Sequence, residues 1–170
     1  MVVLQARAAI VREQDQSMSL RSSVAEVGIS GCPTSLARVA HSISDAFGYS
    51  YALGMGPIYP LDFKAHGVLP LTDATRQDGW YNHKTLWMVD PRYRGVFDIR
   101  GRRLDGSGAL AFTRDMVPLT ALHITPFNLA REPGGWYAFT SGTRLHGPGC
   151  YVYEIDGPRV HETLVFRAIP

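Results

Sequence analysis

Cys32 and Cys150 are the two cysteines of this chain, and their chemistry depends on whether their sulfurs meet. No Cys-x-x-Cys spacing occurs, which excludes a thioredoxin-type redox couple. A structural zinc site would need two further ligands, and His146, four residues before Cys150, supplies only one nearby histidine. Three interpretations stay open: a disulfide, a catalytic Cys–His pair, or buried free thiols. The disulfide is favoured because it would close a loop of about 120 residues and so remove much unfolded-state entropy.

A stable disulfide would indicate an oxidising compartment, so this interpretation predicts an extracytoplasmic protein, secreted or in the cell envelope. The first residues, MVVLQARAAIVREQDQSM, do not form a clear signal peptide, because Arg7 interrupts the apolar stretch and no small-residue cleavage site follows. No segment reaches the roughly 18 uninterrupted apolar residues of a membrane span, so no transmembrane segment is predicted.

The chain has six histidines, and none is spaced as His-x-His or His-x-x-x-His. His66 and His83 lie at the two ends of a polar stretch, residues 62–84, which also contains three aspartates: Asp62, Asp73 and Asp78. A loop with these side chains on a rigid sheet is where a catalytic site would be built. Gly-x-Ser-x-Gly and the phosphate-loop patterns are absent. The sequence therefore predicts no specific catalytic residue, no metal site and no cofactor.

Two Gly-Trp-Tyr triplets stand at predicted loop-to-strand junctions. DGWYNH contains Trp80 and Tyr81, and PGGWYAF contains Trp136 and Tyr137. Rings at loop edges can stack on sugars or on side chains of a partner, although large rings also fill protein cores. These four aromatic residues, together with His66 and His83, form the predicted binding set.

The charge of the chain argues against nucleic acid as a partner. The net charge is +2, and the arginines nowhere form a run of five or six. The hydrophobic fraction of 45% and the charged fraction of 19% are typical of a globular domain with a sizeable core.

Short apolar runs separated by Gly, Pro and Asp follow Cys32, and they predict a mainly β fold of the sandwich or barrel type. Seven runs are predicted strands: 85–90, 95–101, 109–115, 119–125, 136–140, 150–155 and 159–167. The last two would form a hairpin that bends at Asp156-Gly157. In 150–155, Cys150 and Val152 face opposite to Tyr151 and Tyr153, so both faces of this strand should be covered.

Residues 1–30 contain no aromatic residue and no proline, and they are predicted to form a mobile or short helical leader. A second helix is predicted over residues 35–47 from the helical spacing of their apolar side chains. Residues 31–170 are then a single β domain, in which 62–84 is a long loop that can include a short strand at 67–71.

Five stretches of the chain can be compared together with the motifs of known protein families. They are GCPTSLA, GMGPIYP, GWYNHKTLWMVDPRYRGVFDIRGRRLDGSG, GWYAFTSGTRLHGPGCYVYEIDG and LVFRA. Over residues 31–168 they resemble an uncharacterised family of bacterial secreted or lipoprotein domains. The resemblance implies an immunoglobulin-like antiparallel sandwich, a disulfide between Cys32 and Cys150, and a location outside the cytoplasm. It implies no activity.

Three functional hypotheses follow from the sequence. The first is a non-enzymatic extracytoplasmic binding or interaction module for a protein or glycan partner. The alternative is a small β-scaffold enzyme, hydrolase-like or metal-assisted, that uses the 62–84 loop. The third is an assembly subunit that forms a homo-oligomer through residues 1–30.

Overall fold

The computed structural model describes residues 24–27, 31–38, 51–114 and 117–170, and within these ranges the chain is mainly β. The strands, numbered in chain order, are β1 Val24–Val27, β2 Pro33–Ser35, β3 Ala37–Arg38, β4 Ala52–Leu53, β5 Ile58–Pro60, β6 Val68–Pro70, β7 Arg76–Gln77, β8 Trp80–Val89, β9 Phe97–Arg103, β10 Leu110–Arg114, β11 Val117–Leu119, β12 Ala121–Ile124, β13 Ala130–Arg131, β14 Tyr137–Leu145, β15 Gly149–Gly157 and β16 Val160–Ile169.

The helical segments in the described ranges are short 3-10 turns: Ala65–Gly67, Asp73–Thr75, Pro126–Asn128 and Pro133–Gly135. None of the helices in this part of the chain has the length and apolar character needed to cross a membrane.

Two larger sheets contain most of the strands. The seven-stranded sheet has the order β11-β10-β14-β8-β5, with β13 pairing with β14 and β7 pairing with β8. The five-stranded sheet has the order β12-β9-β15-β16-β6, in which only the β16–β6 pairing is parallel. Two small pairs, β1 with β2 and β3 with β4, accompany the sheets.

Alternation along the central strands places large rings between the two sheets. In the seven-stranded sheet Trp87 of β8 lies opposite Phe139 of β14, and their rings stack with centroids 5.9 Å apart. Tyr153 of β15 belongs to the five-stranded sheet, and its ring meets the Trp87 ring edge-on at 5.1 Å. The inner faces of the two sheets therefore share one apolar core.

Buried hydroxyl groups connect the sheets within this core. Thr143 Oγ1 of β14 lies 2.8 Å from Thr85 Oγ1 of β8 and 2.9 Å from the Tyr153 hydroxyl of β15. All three residues are fully buried. Burial raises the pKa of the Tyr153 phenol, so this hydroxyl keeps its proton and remains a hydrogen-bond donor. The contact satisfies polar groups that would otherwise be costly to bury.

The segment 31–38 lies against the outer face of the five-stranded sheet. Cys32 and Cys150 form a disulfide, with their Cα atoms 5.5 Å apart. The bridge packs with Val152 and Val165 in a small buried cluster. Strand β15 is consequently covered on both faces, as the alternation of its side chains predicts.

Ser35 fastens the same segment to the edge of β16. The backbone N–H of Val165 donates to Ser35 Oγ at 2.9 Å, and Ser35 Oγ donates to the Thr163 carbonyl oxygen at 3.4 Å. Strand β6 pairs with β16 only at residues 167–169, so the Ser35 side chain occupies backbone groups that β6 leaves open.

The predicted helices are wrong where the structure describes them. In the leader, Val24–Val27 is a strand that pairs with β2, and the rest of residues 1–30 lies outside the described residues. Of the predicted helix 35–47, the described part belongs to β2 and β3, and residues 39–47 lie outside the description. Sheet contacts here override the helical spacing, because propensity is weak against tertiary pairing.

Two predicted connections also differ. The polar stretch 62–84 has more strands than predicted: besides β6, which lies within the predicted short strand at 67–71, it contains β7 and the first half of β8. The last hairpin bends at Pro158-Arg159 rather than at Asp156-Gly157, since Gly157 still pairs with Val160. Proline has the backbone φ angle that suits the second position of a turn, which places the bend after Gly157.

Replacing Tyr153 with phenylalanine tests the hydroxyl contact between the sheets. We expect Tyr153→Phe to lower the free energy of unfolding by about 1–2 kcal/mol, because Thr143 loses one of its two buried partners. Equilibrium urea unfolding measures the change. Tyr59→Phe is the matched control, since the Tyr59 hydroxyl donates to an exposed site at the Met55 carbonyl oxygen. Equal effects of the two substitutions would contradict the structural role assigned to Tyr153.

Removing the disulfide tests its contribution to stability. The double variant Cys32→Ala, Cys150→Ala should unfold with a free energy lower by about 4 kcal/mol, because the unfolded chain regains the entropy of a long closed loop. Wild-type protein in reductant should approach the same value in urea unfolding. An unchanged midpoint of the wild-type protein in reductant would argue against this stabilisation.

Candidate functional site

The two predicted aromatic pairs lie at opposite ends of the seven-stranded sheet. Trp80 and Tyr81 begin β8, whereas Trp136 and Tyr137 are at the start of β14. Because β8 and β14 are antiparallel, Tyr81 lies opposite Leu145 and the other pair lies at the far end. Eight register steps separate the pairs, or roughly 27 Å at the usual strand rise. They do not form one binding site.

The rings of Trp80 and Tyr81 already have partners. The Trp80 ring lies 3.9 Å from the His146 ring, centroid to centroid, and the guanidinium carbon of Arg144 is 4.9 Å from the Trp80 centroid. The Tyr81 hydroxyl donates to Asp73 Oδ1 at 3.2 Å. These contacts fix the rings at one end of the sheet.

The rings of Trp136 and Tyr137 are also engaged. Trp136 meets Tyr59 edge-on, with centroids 6.0 Å apart, and packs near Met88. The guanidinium carbon of Arg94 lies 5.1 Å from the Tyr137 ring centroid. Both rings are half-buried, so they contribute mainly to packing.

Of the histidine and aspartate residues predicted in the 62–84 stretch, the structure brings together His83 and Asp62. His83 Nε2 lies 3.1 Å from Asp62 Oδ2, and burial lowers the pKa of His83 although the Asp62 charge opposes this shift. His66 belongs to the separate turn Ala65–Gly67, which contacts β2, β3 and β16. Within the described residues, no three His, Cys, Asp or Glu side chains are grouped so that they could hold a metal ion.

A concave surface instead lies on the outer face of the seven-stranded sheet. Two adjoining concavities of about 840 and 700 Å³ share Asn82 and Thr113 in their linings. We call this surface the outer groove, and its defining residues are Asn82, Lys84, Thr113, Thr140, Gly142 and Arg144.

The strand register explains why these residues share a face. Alternation directs Trp87 and Phe139 inward, so the even-numbered residues of β8 and β14 face outward. Pairing then sets Lys84 of β8 beside Gly142 of β14, and Gly142 beside Thr113 of β10. The groove floor is thus built from three neighbouring strands.

Gly142 keeps the centre of the outer groove open. A Cβ atom at this position would lie 2.0 Å from Thr113 Oγ1, which is far inside van der Waals contact. A side chain here would occupy the space between Lys84 and Thr113. Glycine weakens a strand interior, and its presence often marks a close approach.

A break in the sheet adds backbone groups to the same groove. Strand β10 pairs with residues 142–145 of β14, and β13 pairs with residues 137–138. Among the described residues, no strand pairs with residues 139–141 on this edge, and all three line the outer groove. Backbone polar groups at an unpaired edge are available to a ligand or to water.

The outer groove is lined mainly by cationic and polar side chains. Its cations are Arg76, Lys84, Arg114 and Arg144, and its single carboxylate is Asp78. No described carboxylate lies within ion-pairing distance of Lys84 or Arg114. These two charges are therefore not neutralised within this part of the protein.

The outer face of the five-stranded sheet has a different electrostatic character. There Arg100 pairs with Asp156 at 3.4 Å, and Arg102 pairs with Glu154 at 3.2 Å. His123 contacts Asp98 on the same face. Positive and negative charges thus compensate one another on that sheet, so the uncompensated cations distinguish the outer groove.

Lys84, Arg114, Thr113 and Gly142 were absent from the predicted binding set. The alternation of side chains within residues 80–89, which can be read from the sequence, places Lys84 and Trp87 on opposite faces of the strand. The neighbours of Lys84 on β14 and β10 come from residues far along the chain, and alternation within one strand does not specify them.

Glu162 forms a second polar site at the inner face of β16. The Met55 backbone N–H donates to Glu162 Oε1 at 2.8 Å, while no described group bonds to the buried Oε2. Burial raises the pKa of Glu162 to about 7, although the backbone N–H groups of Met55 and Gly56 oppose the shift. Glu154, on the neighbouring strand β15, lies on the opposite face of the sheet.

Comparison with known proteins yields one similarity. No family model matches the chain, and no curated protein sequence matches it. The chain is similar to the CooA pilin subunit from enterotoxigenic Escherichia coli, a solved structure, with 12% sequence identity and a TM-score of 0.39. The match covers 66% of this chain and 97% of the pilin. A TM-score at this level does not define a shared fold.

The shifted pKa of Glu162 predicts how stability depends on pH. The folded-state pKa of about 7 lies above the ordinary value of 4.5, so the folded protein binds this proton more tightly than the unfolded chain does. The contribution is complete below pH 4.5 and is lost as the pH rises through 7. Relative to Glu162→Gln, the wild type should lose unfolding free energy on the order of 2 kcal/mol between pH 5 and 8, allowing for partial exposure.

Urea unfolding at the two pH values measures this difference. Glu154→Gln is the matched control, because Glu154 is paired with Arg102 on the outer face. Its pH dependence should follow the wild type. Parallel stability profiles for the wild type and Glu162→Gln would show that Glu162 does not carry the effect.

Proposed function

We propose that this protein is an extracytoplasmic binding or interaction module, and that its ligand occupies the outer groove. The observation that carries the proposal is the groove itself, in which Lys84 and Arg114 lack an ionic partner among the described residues while Gly142 leaves the floor open. Exposed, uncompensated charge in a concavity attracts ligands of the opposite sign.

The compartment is inferred from the disulfide. Cys32 and Cys150 are bonded, and a structural disulfide is stable in oxidising surroundings outside the cytoplasm. This supports the location that the sequence predicts, and a secreted or cell-envelope protein is part of the proposal.

The type of β fold is also part of this proposal. Two mainly antiparallel sheets that share an apolar core support an immunoglobulin-like sandwich, the fold that the resembled bacterial family implies. The division of the chain into a leader, residues 1–30, and one domain, residues 31–170, stays a prediction. Oligomer formation through residues 1–30 stays a prediction as well.

Binding is favoured over catalysis by what the outer groove contains. The Ser141 hydroxyl accepts a hydrogen bond from Trp87 Nε1 at 3.0 Å, inside the core. His83 is drawn towards Asp62 rather than towards a serine or threonine hydroxyl of the groove. The lining offers cations, amides and hydroxyls, which suit recognition of a polar ligand.

Amide chemical-shift mapping with soluble polymers tests the proposal. Dextran, polygalacturonate and poly-L-glutamate are the probes. At least one should shift the amides of residues 82–84, 113 and 140–142, and Gly142→Val should abolish those shifts by filling the floor. Thr163→Val is the control for introducing a valine, because residue 163 lies on the outer face of the other sheet.

The variants are compared only after circular dichroism and thermal unfolding show that they are folded. Shifts confined to the five-stranded sheet, or no groove shifts with any of the three probes, would overturn the proposal. Groove shifts that persist in Gly142→Val would overturn it as well.

A further inference from the structure

We propose that the ligand of the outer groove is an acidic polysaccharide, whose carboxylate groups lie at Lys84 and Arg114 and whose hydroxyl groups meet the surrounding amides and hydroxyls. This inference rests on the proposed function and names the chemical class of its ligand.

The positions of the cations support a polymer with repeated negative charges. Lys84 and Thr113 stand on either side of Gly142, so their Cα atoms are roughly 10 Å apart across two strand spacings. Arg114 follows Thr113 and lines the same concavity. Lys84 and Arg114 thus belong to the two strands that flank β14, and both line the concavity that includes Gly142.

Further positive charge lies along the groove. Arg144 follows Gly142 by two residues on β14, and Arg76 lines the adjoining concavity. The carboxylate of Asp78 offsets only one of these charges. The charge therefore extends over more than one ligand unit, as a polyanion requires.

The neutral lining is suited to hydroxyl groups. Asn82, Asn128, Thr113 and Thr140 line the groove, and each carries a side chain that can both donate and accept hydrogen bonds. A sugar hydroxyl also does both, so such side chains match a carbohydrate closely. Phe127 adds a ring that is 99% exposed, next to Asn128 at the border of the groove. An exposed ring can pack against a sugar face.

An acidic peptide fits less well. Peptides that add to a sheet edge are recognised through backbone pairing and through pockets for alternate side chains. The unpaired stretch of β14 spans only residues 139–141, between β10 and β13. The floor beside it offers Gly142 and Thr140 rather than apolar pockets.

Titration calorimetry of the full chain with four polymers tests the inference. Polygalacturonate is the acidic glycan, dextran the neutral glycan, poly-L-glutamate the acidic peptide, and a single-stranded oligonucleotide the nucleic acid. Polygalacturonate should bind at least tenfold more tightly than the other three, and its affinity should fall with rising salt because exposed charges are screened.

Single substitutions locate the charges. Lys84→Gln and Arg114→Gln should each weaken polygalacturonate binding about fivefold. Arg159→Gln removes the same charge from the turn between β15 and β16 and should leave binding unchanged. Unchanged affinity in both groove variants would overturn the inference.

The results with the different polymers distinguish a failure of this inference from a failure of the proposed function. Groove binding of dextran as tight as that of polygalacturonate would overturn the acidic class but leave the binding module intact. Groove binding of poly-L-glutamate or the oligonucleotide that is tighter than that of polygalacturonate would also overturn the inference but not the binding module. The ligand would then be an acidic peptide or a nucleic acid. If no polymer binds, both the inference and the proposed function fail.

Discussion

Tyr153 makes the contact on which the arrangement of the two sheets depends. Its ring meets Trp87 and Phe166, and its hydroxyl reaches Thr143 on the facing sheet. The apolar and polar contacts require the same relative position of the sheets, because a sliding sheet would break the hydrogen bond and separate the rings together. The register of β14 against β8, held by this core, then determines which side chains stand together on the opposite, outer face.

The outer faces of the two sheets differ in how they are covered and in their charge. On the five-stranded sheet, the segment bearing Cys32 covers part of β15, and acidic and basic side chains neutralise one another over the remainder. On the seven-stranded sheet lies a concavity in which Lys84 and Arg114 have no such compensation among the described residues. Burial therefore specifies the scaffold, and the difference in charge distinguishes the outer face on which we propose the ligand site.

Local patterns in the sequence located seven of the strands, and they favoured a disulfide without excluding a Cys–His pair or free thiols. A strand lies at each of the seven predicted runs, and the alternation around Cys150 and Tyr151 indicates its two covered faces. Non-local pairing explains the failures. Ser35 follows the edge of β16 instead of starting a helix, and the groove requires β8, β14 and β10 to meet in one register. The aromatic pairs look alike in sequence, but antiparallel pairing carries Trp80 and Trp136 to opposite ends.

The side chain of Ser35 also closes part of an open strand edge. An open strand edge is a template on which another chain can add and begin an aggregate. Ser35 occupies the Val165 N–H and the Thr163 carbonyl oxygen at such an edge, and the nearby bond between Cys32 and Cys150 holds the segment in place. The bridge and the Ser35 hydroxyl therefore hold this segment against the sheet at two neighbouring points.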